Sequence, residues 1–380
     1  MIKVLFTLDY EIHGNGDGCP YALMVEPTNR LLRQLEAFGA RLTIMADVAE
    51  ILKFKEHSEK QGQDDCHYAK IAHQLQDAVR RGHDVQLHLH ASYFNAQFKN
   101  QRWEQDWSEY NFAGLPLARL NEVVRTAKRY LEGLLRPVKA DYQCIAFRAA
   151  NWAVSPSRNV VRALVNNDIQ IDTSVFKYGR REGLVQFDYS SAYSSALPWA
   201  VDEDDVCARN PRGQLIEFPI YSENRALWAF FTPQRIYRLW VSRRHKLSNA
   251  QTTRPPIPSA EAKSGSNGAA RAPGWARRSA WKADFNQCSG WQLAGALRRA
   301  EAEYSTAGGD IPFVLIGHSK LFTRFNEWSL RPFLSFVARY PGRYRFAAFG
   351  DFDLEKIARR MPSAVVEPGL GRRPVCALEG

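Results

Sequence analysis

Patterns of buried strands and amphipathic helices alternate along most of this 380-residue chain. Short apolar runs such as Lys3–Leu8 and Val85–Leu89 are typical of buried strands, whereas Pro27–Phe38 has apolar residues at helical spacing. Gly39 and Gly82 stand where two of the helices would end. Strands that alternate with helices pair in parallel, because each helix returns the chain across the sheet. The order therefore predicts a mainly parallel α/β fold, as an open sheet or a barrel.

The composition, 45% hydrophobic and 12% aromatic, is typical of a globular protein. No stretch approaches the roughly 20 apolar residues of a membrane span, and Met1–Asp9 becomes polar too soon for a secretory signal. The cysteines lie far apart, without a C-x-x-C pair, at Cys19, Cys66, Cys144, Cys207, Cys288 and Cys376. We therefore expect a cytoplasmic protein with reduced thiols, in which any metal site is built from His and carboxylates.

Most of the net charge of +11 lies in one segment. Residues 241–285 hold nine Lys and Arg against two acidic residues, which gives +7 of the +11. Within it, residues 242–278 are rich in Pro, Ser, Gly and Ala, which predicts a mobile basic insertion in a single catalytic domain over 1–360. Residues 361–380 are predicted to be a loosely packed tail. No nucleic-acid-binding signature accompanies the charge, so nucleic acid is not the expected partner.

Residues of catalytic type follow several of the predicted strands, at the end where parallel α/β folds carry their active sites. Asp9, Glu11 and His13 follow the first strand and would share one face if the chain stays extended. Two carboxylates and an imidazole on one face can place a base beside a metal ion. The alternative is a solvated strand end that is capped by acidic residues.

Two histidines, His88 and His90, follow the strand Val85–Leu89 at a spacing of two residues. This spacing points both rings to the same face, so that they could chelate one ion. A structural or surface histidine pair is the alternative.

Three further strand ends carry polar side chains. Arg148 can orient a carboxylate base, with Trp152 close behind it to stack on a sugar ring, although a surface salt bridge would explain Arg148 equally well. Asp172 follows the next strand. His318 follows a hydrophobic strand and Gly317, which makes it a candidate general acid. Five such strand ends in this order are hard to explain as independent accidents.

In this order the motifs resemble the polysaccharide-deacetylase (NodB-like) family of carbohydrate esterases, over roughly residues 1–350 outside the basic insertion. The resemblance implies a distorted (β/α) barrel with the site at the C-terminal ends of its strands, and a divalent metal ion, usually Zn²⁺. It also implies roles for individual residues: Asp9 as base, Glu11, His88 and His90 as metal ligands, Arg148 as the residue that holds the base, His318 as general acid, and Asp172 as the acid that orients His318.

The sequence departs from the family at one ligand. The family usually binds its metal through His-x-x-x-His, and counting from His88 puts Ser92 at the second histidine. Either His90 substitutes, or the site is weaker, or catalysis has been lost. The extended strand would place His90 on the correct face, which favours substitution.

The resemblance implies removal of N-acetyl groups from amino sugars, with Trp152 and Tyr93 expected to contact the sugar. Hydrolysis of a C–N bond in a small amide, and a catalytically inactive carbohydrate-binding protein, are the alternatives. Because no signal peptide is recognised, the expected substrate is a cytoplasmic nucleotide- or lipid-linked precursor of a surface polysaccharide or O-antigen. The basic insertion, flanked by tryptophans, is predicted to make peripheral contact with the inner membrane.

Overall fold

The computed structural model describes residues 1–230 and 278–359, together with residues 233, 236 and 240. Its strands are β1 (Ile2–Tyr10), β2 (Leu42–Asp47), β3 (Asp84–Leu89), β4 (Gln97–Lys99), β5 (Arg102–Glu104), β6 (Ala146–Ala149), β7 (Ile171–Asp172), β8 (Arg180–Arg181), β9 (Phe187–Asp188), β10 (Trp199–Ala200), β11 (Ile216–Glu217), β12 (Ser222–Ala226), β13 (Arg278–Lys282), β14 (Ile311–His318) and β15 (Tyr344–Ala347). Its helices are α1 (Glu26–Glu36), α2 (Val48–Gln61), α3 (Tyr68–Arg80), α4 (Leu117–Leu135), α5 (Ser157–Asn166), α6 (Gly290–Glu303), α7 (Arg324–Arg339) and α8 (Leu354–Ala358).

The main sheet is a curled, almost wholly parallel half-barrel. Its strands lie in the order β10-β11-β7-β6-β3-β2-β1-β14, β15 also pairs with β1, and only the β10–β11 pair is antiparallel. Ile220, just after β11, forms a parallel bridge with Val314 of β14, so the two ends of the sheet meet. The distorted (β/α) barrel that the sequence predicts is confirmed.

The pleat of the strands decides which side chains reach the inside of the barrel. Leu5, Met45 and Ala146 belong to a small buried cluster inside it. Side chains alternate between the two faces of a strand. The next inward positions on β2 and β6 are therefore Asp47 and Arg148, at the C-terminal end of the barrel.

The outer face of the sheet packs against the helices in a larger core. Leu31, Leu35, Leu75 and Leu131 lie in it without measurable exposure. None of the helices in the described ranges is both long and apolar enough to cross a membrane. The predicted tail 361–380 lies outside the described residues, as does all of the predicted insertion 242–278 except Arg278, the first residue of β13.

The structure corrects the predicted role of Asp172. Ile171 faces the inside of the barrel, so Asp172 points to the opposite face of β7 and does not orient His318. Asp172 instead accepts a hydrogen bond from Ser174 Oγ at 2.6 Å and pairs with the carboxyl group of Glu217, its register partner on β11. Burial raises the pKa of Asp172 to about 6, and burial with the charge of Asp172 raises the pKa of Glu217 well above its usual value. Glu217 therefore keeps its proton at neutral pH and donates it to Asp172.

Gly317 places His318 at the end of β14. A Cβ atom at position 317 would overlap the buried ring of Phe285. We expect Gly317→Ala to lower the free energy of unfolding by about 1–3 kcal/mol, which is typical of overpacking, as measured by urea denaturation. Gly133→Ala is the control: nothing lies within 4 Å of its Cβ position in the exposed face of α4, so it should stabilise by about 0.5–1 kcal/mol. Equal stability of Gly317→Ala and the wild type would contradict this packing.

The Asp172–Glu217 pair predicts a pH dependence of stability. Because its folded pKa of about 6 exceeds the ordinary 3.8, the stabilisation from Asp172 is complete below about pH 4 and is lost as the pH rises to 6. The loss amounts to about 3 kcal/mol. We expect it to be absent in Asp172→Asn and present in the exposed control Asp141→Asn, in unfolding free energies measured from acid to neutral pH. If the unfolding free energies of all three proteins changed with pH in the same way, the raised pKa of Asp172 would be contradicted.

Candidate active site

An ion pair between Asp9 and Arg148 lies inside the mouth of the barrel. Arg148 Nη1 donates to Asp9 Oδ1 at 2.7 Å, and both side chains are buried. Arg148 Nε also donates to the Thr173 carbonyl at 2.9 Å, which fixes the plane of the guanidinium group. Burial alone would raise the pKa of Asp9, but the charges of Arg148, His88 and His318 hold it below its ordinary value. Asp9 is therefore a carboxylate at neutral pH.

Four potential metal ligands lie beside this pair, with their donor atoms all within 4.8 Å of one another: Glu11, Asp47, His88 and His90. Glu11 Oε2 lies 3.5 Å from His88 Nε2 and 3.3 Å from His90 Nδ1. His90 Nδ1 lies 2.5 Å from Asp47 Oδ2. The structure thus brings together the three predicted ligands and adds Asp47.

The backbone of β6 sets the orientation of His88. Its Nδ1 lies 2.9 Å from the carbonyl oxygen of Arg148. A carbonyl only accepts, so Nδ1 carries a proton and Nε2 faces Glu11. Burial opposes protonation of His88 and His90, yet the neighbouring carboxylates raise the pKa of each imidazole above its usual value. Both rings therefore lie in a strongly negative environment, which suits a cation.

Ser92 does not take part in this group. It is buried, and its hydroxyl donates to Gln105 Oε1 at 2.8 Å. His90, two residues earlier, contacts Glu11 and Asp47 instead. Asp47 was not predicted, although an Asp directly after the apolar strand Leu42–Met45 is a signal of the same kind as Asp9.

Two more ionisable groups around Glu11, Lys320 and Glu50, were also missed. Lys320 Nζ lies 2.9 Å from Glu11 Oε1 and donates to the Ile12 carbonyl at 2.7 Å. Burial would raise the pKa of Glu11, but Lys320 with the two histidines lowers it well below its usual value. Burial and the charge of Asp47 raise the pKa of Glu50 well above its usual value. Glu11 is therefore ionised and Glu50 neutral, with Glu50 accepting the Ile12 N–H at 2.9 Å.

His318 lies on the other side of Asp9. Its Nε2 is 3.6 Å from Asp9 Oδ2 and 3.8 Å from Glu11 Oε1. Burial lowers the pKa of His318, although Asp9, Glu11 and Asp284 act in the opposite direction. Its backbone N–H donates to Asn286 Oδ1 at 2.6 Å, and within the described residues its Nδ1 has no hydrogen-bond partner. His318 is therefore neutral at neutral pH and lies beside Asp9, just beyond hydrogen-bond distance.

The two aromatic residues predicted to contact a sugar lie in different places. Trp152 is partly buried at the mouth, with its ring centre 6.2 Å from that of His318 and with Lys282 Nζ 3.3 Å from its ring centre. Tyr93 is completely buried against His90, and no face of its ring is open to a ligand. The prediction that Tyr93 contacts the substrate is therefore wrong.

Solved structures similar to this chain include polysaccharide deacetylases. A protein assigned as such from Mycobacterium smegmatis aligns over 97% of this chain and 95% of its own, with 13% identity and a TM-score of 0.43. Another, from Pseudomonas aeruginosa, aligns over 94% of this chain and 90% of its own, with 13% identity and a TM-score of 0.45. A protein from Parabacteroides distasonis, assigned as a glycoside hydrolase or deacetylase, aligns over 93% of this chain and 70% of its own. Its sequence identity is 11% and its TM-score is 0.49. No protein-family model and no curated protein matches the sequence. The residues of the barrel mouth, and not these likenesses, indicate the chemistry.

Proposed function

We propose that this protein is a metal-dependent hydrolase that removes N-acetyl groups from amino sugars. One observation carries the proposal: a group of four metal ligands, an ionised carboxylate and a neutral imidazole share the barrel mouth. These are the parts that amide hydrolysis needs, namely an electrophile, a base and a proton donor.

The donor set fits a divalent ion such as Zn²⁺. Zinc accepts imidazole nitrogens and carboxylate oxygens in tetrahedral sites with bonds of about 2.0–2.2 Å, which put the ligand atoms about 3.3 Å apart. The 3.3 Å and 3.5 Å separations from Glu11 Oε2 to His90 and His88 match that spacing. The 2.5 Å contact between His90 Nδ1 and Asp47 Oδ2 is a hydrogen bond, which a bound ion would replace. Glu11, Asp47, His88 and His90 would hold the ion, and a fifth coordination position would be needed for a water molecule. When bound there, the ion would polarise the acetyl carbonyl and acidify that water molecule.

Asp9 is suited to act as the base. Arg148 holds one of its oxygens at 2.7 Å, which leaves the other oxygen to take a proton from the attacking water. Arg148 makes its hydrogen bonds to Thr173 at the same time, so the base stays in one orientation. General-base catalysis of this kind contributes about 10²–10⁴ in rate.

His318 is suited to pass that proton to the leaving amine. It starts neutral, and its Nε2 lies 3.6 Å from the second oxygen of Asp9. A short movement therefore lets the proton pass from Asp9 to His318 and from there to the amine. Trp152, beside His318 at the mouth, would stack on the sugar ring.

We propose a nucleotide- or lipid-linked amino-sugar precursor of a surface polysaccharide or O-antigen as the substrate, in a cytoplasmic protein with a single catalytic domain. The free thiols of Cys19, Cys66, Cys144, Cys207 and Cys288 support a reducing compartment. The inactive alternative was motivated by Ser92, and the place of His90 and Asp47 beside Glu11 removes that motivation.

The substrate class is tested by acetate release from soluble N-acetyl amino-sugar precursors with zinc, cobalt or nickel. Small linear and cyclic amides form the second arm, because the same groups can hydrolyse either bond. Release from sugars alone supports the proposal. Turnover of the amides alone assigns the protein to small-amide hydrolysis instead.

Asp9→Asn should abolish hydrolysis and leave the metal content almost unchanged. The amide cannot take a proton, while the four ligands stay in place, so we expect turnover to fall by about 10²–10⁴-fold. Acetate release and elemental analysis are measured on the same preparation, with the exposed variant Asp141→Asn as control. Near-normal turnover of Asp9→Asn would remove it as the base.

Replacing single ligands should release the metal. His90→Ala removes a donor, and Asp47→Asn removes a charge while an Asn still caps α2, as Asp47 does through Glu50 N. We expect each to weaken zinc affinity by roughly 100-fold or more, since even changes next to a ligand cost about 10–100-fold. Ser92→Ala is the control and should bind zinc normally. Normal affinity of His90→Ala, or loss in Ser92→Ala, would contradict this ligand set.

A further inference from the structure

An apolar groove of about 850 Å³ lies on the outside of the barrel between α6 and α7. Trp291 and Trp328 project from it, 70% and 69% exposed. Phe325, Pro332 and Phe336 line it between them. Clustered exposed apolar side chains of this size mark an interaction surface.

Exposed apolar side chains also occur near Pro233, which lies before α6 in the sequence. Pro233 also lines the groove. Three more large apolar side chains lie close to it in sequence and are exposed by 74%, 60% and 49%: Trp228, Ile236 and Trp240.

Arginines surround this groove. Arg331 and Arg339 line it, and Arg324 lies with Arg331 in an adjoining pocket of about 410 Å³. In the part of the chain that the structure describes, Glu327 is the one acidic residue that lines either cavity. Among the described residues, none of the three arginines forms an ion pair. The surface therefore presents tryptophans together with positive charge that no described acidic residue neutralises.

We propose that this surface docks on a phospholipid bilayer with anionic headgroups. Tryptophan prefers the membrane interface, because its ring is apolar and its N–H is polar, and arginine binds phosphate groups. A second copy of this chain fits poorly, because a two-fold contact through the groove would set arginines against arginines. A partner with negative charge and an apolar layer beneath it matches both features.

The two helices that form the groove begin near the mouth of the barrel. Asn286 accepts from the backbone N–H of His318 at 2.6 Å and, through its carbonyl, from the side chain of Asn326 at 2.8 Å. Trp328 follows Asn326 by two residues, and Trp291 follows Asn286 by five. A bilayer on this surface would therefore contact helices whose first residues lie near the site. Presentation of a lipid-linked glycan to the site by that bilayer rests on the proposed function. The docking itself does not depend on the proposed function.

The experiment is co-sedimentation of the full chain with phosphatidylcholine vesicles, with or without phosphatidylglycerol. Two variants change the groove: Trp291→Ser with Trp328→Ser, and a triple Gln substitution of Arg324, Arg331 and Arg339. The charge-matched control is a triple Gln substitution of the exposed residues Arg80, Arg125 and Arg129 on α3 and α4. We expect binding that needs phosphatidylglycerol and weakens with salt. It should fall roughly fivefold for each groove arginine removed and at least tenfold in the tryptophan variant, with the control variant binding like the wild type.

Several results would overturn the docking proposal. These are no binding to anionic vesicles, equal binding of groove and control variants, or equal binding to uncharged vesicles. Binding lost on replacing residues 243–278 by a Gly/Ser linker, but kept in the groove variants, would assign it to that segment. A dimer in light scattering that the tryptophan variant abolishes would assign the groove to a second copy. Thermal melting shows that the variants fold. Acetate release from soluble sugars, measured separately, keeps failure of docking distinct from failure of the proposed reaction.

Discussion

The buried ion pair between Arg148 and Asp9 is the interaction around which the barrel mouth is organised. Ions of this kind are costly to bury unless both are paired and fully hydrogen-bonded. Arg148 meets that condition by contacting Asp9 on β1 and Thr173 after β7, with no exposure to water. Its own carbonyl fixes His88. One residue of β6 thus orients the proposed base, Asp9, and one proposed metal ligand, His88, so that a change at Arg148 would disturb both.

The remaining charges of the mouth are balanced around Glu11. Four buried carboxyl groups, on Asp9, Glu11, Asp47 and Glu50, face the two fixed cations of Arg148 and Lys320. Glu50 avoids the cost by staying protonated, and Lys320 occupies only one oxygen of Glu11. The other oxygen points at the two histidines. The excess of negative charge is thereby confined to one place, where a divalent cation would neutralise it.

The sequence predicted those parts of the site that follow from strand periodicity, and it failed where the answer depends on packing. Asp9, Glu11, His88 and Arg148 directly follow or end apolar strands, so their meeting at one end of a parallel barrel could be foreseen. Asp172 is also at a strand end, but the two-residue strand β7 gave too little pattern to show which face it takes. The burial of Tyr93, the proton on Glu50 and the role of Lys320 arise from distant neighbours. Local sequence carries no signal for them.

The C-terminal ends of the neighbouring strands β1 and β14 link the candidate site to the outer surface of the barrel. Asp9 and His318 are register partners on these strands, which explains why His318 Nε2 lies only 3.6 Å from Asp9 Oδ2. The chain after His318 enters α7 within a few residues, and Asn286 ties the start of α6 to the same point. Buried hydrogen bonds of this kind restrict relative movement. If a bilayer holds α6 and α7 in one orientation, as proposed above, it therefore also fixes the direction in which the barrel mouth faces.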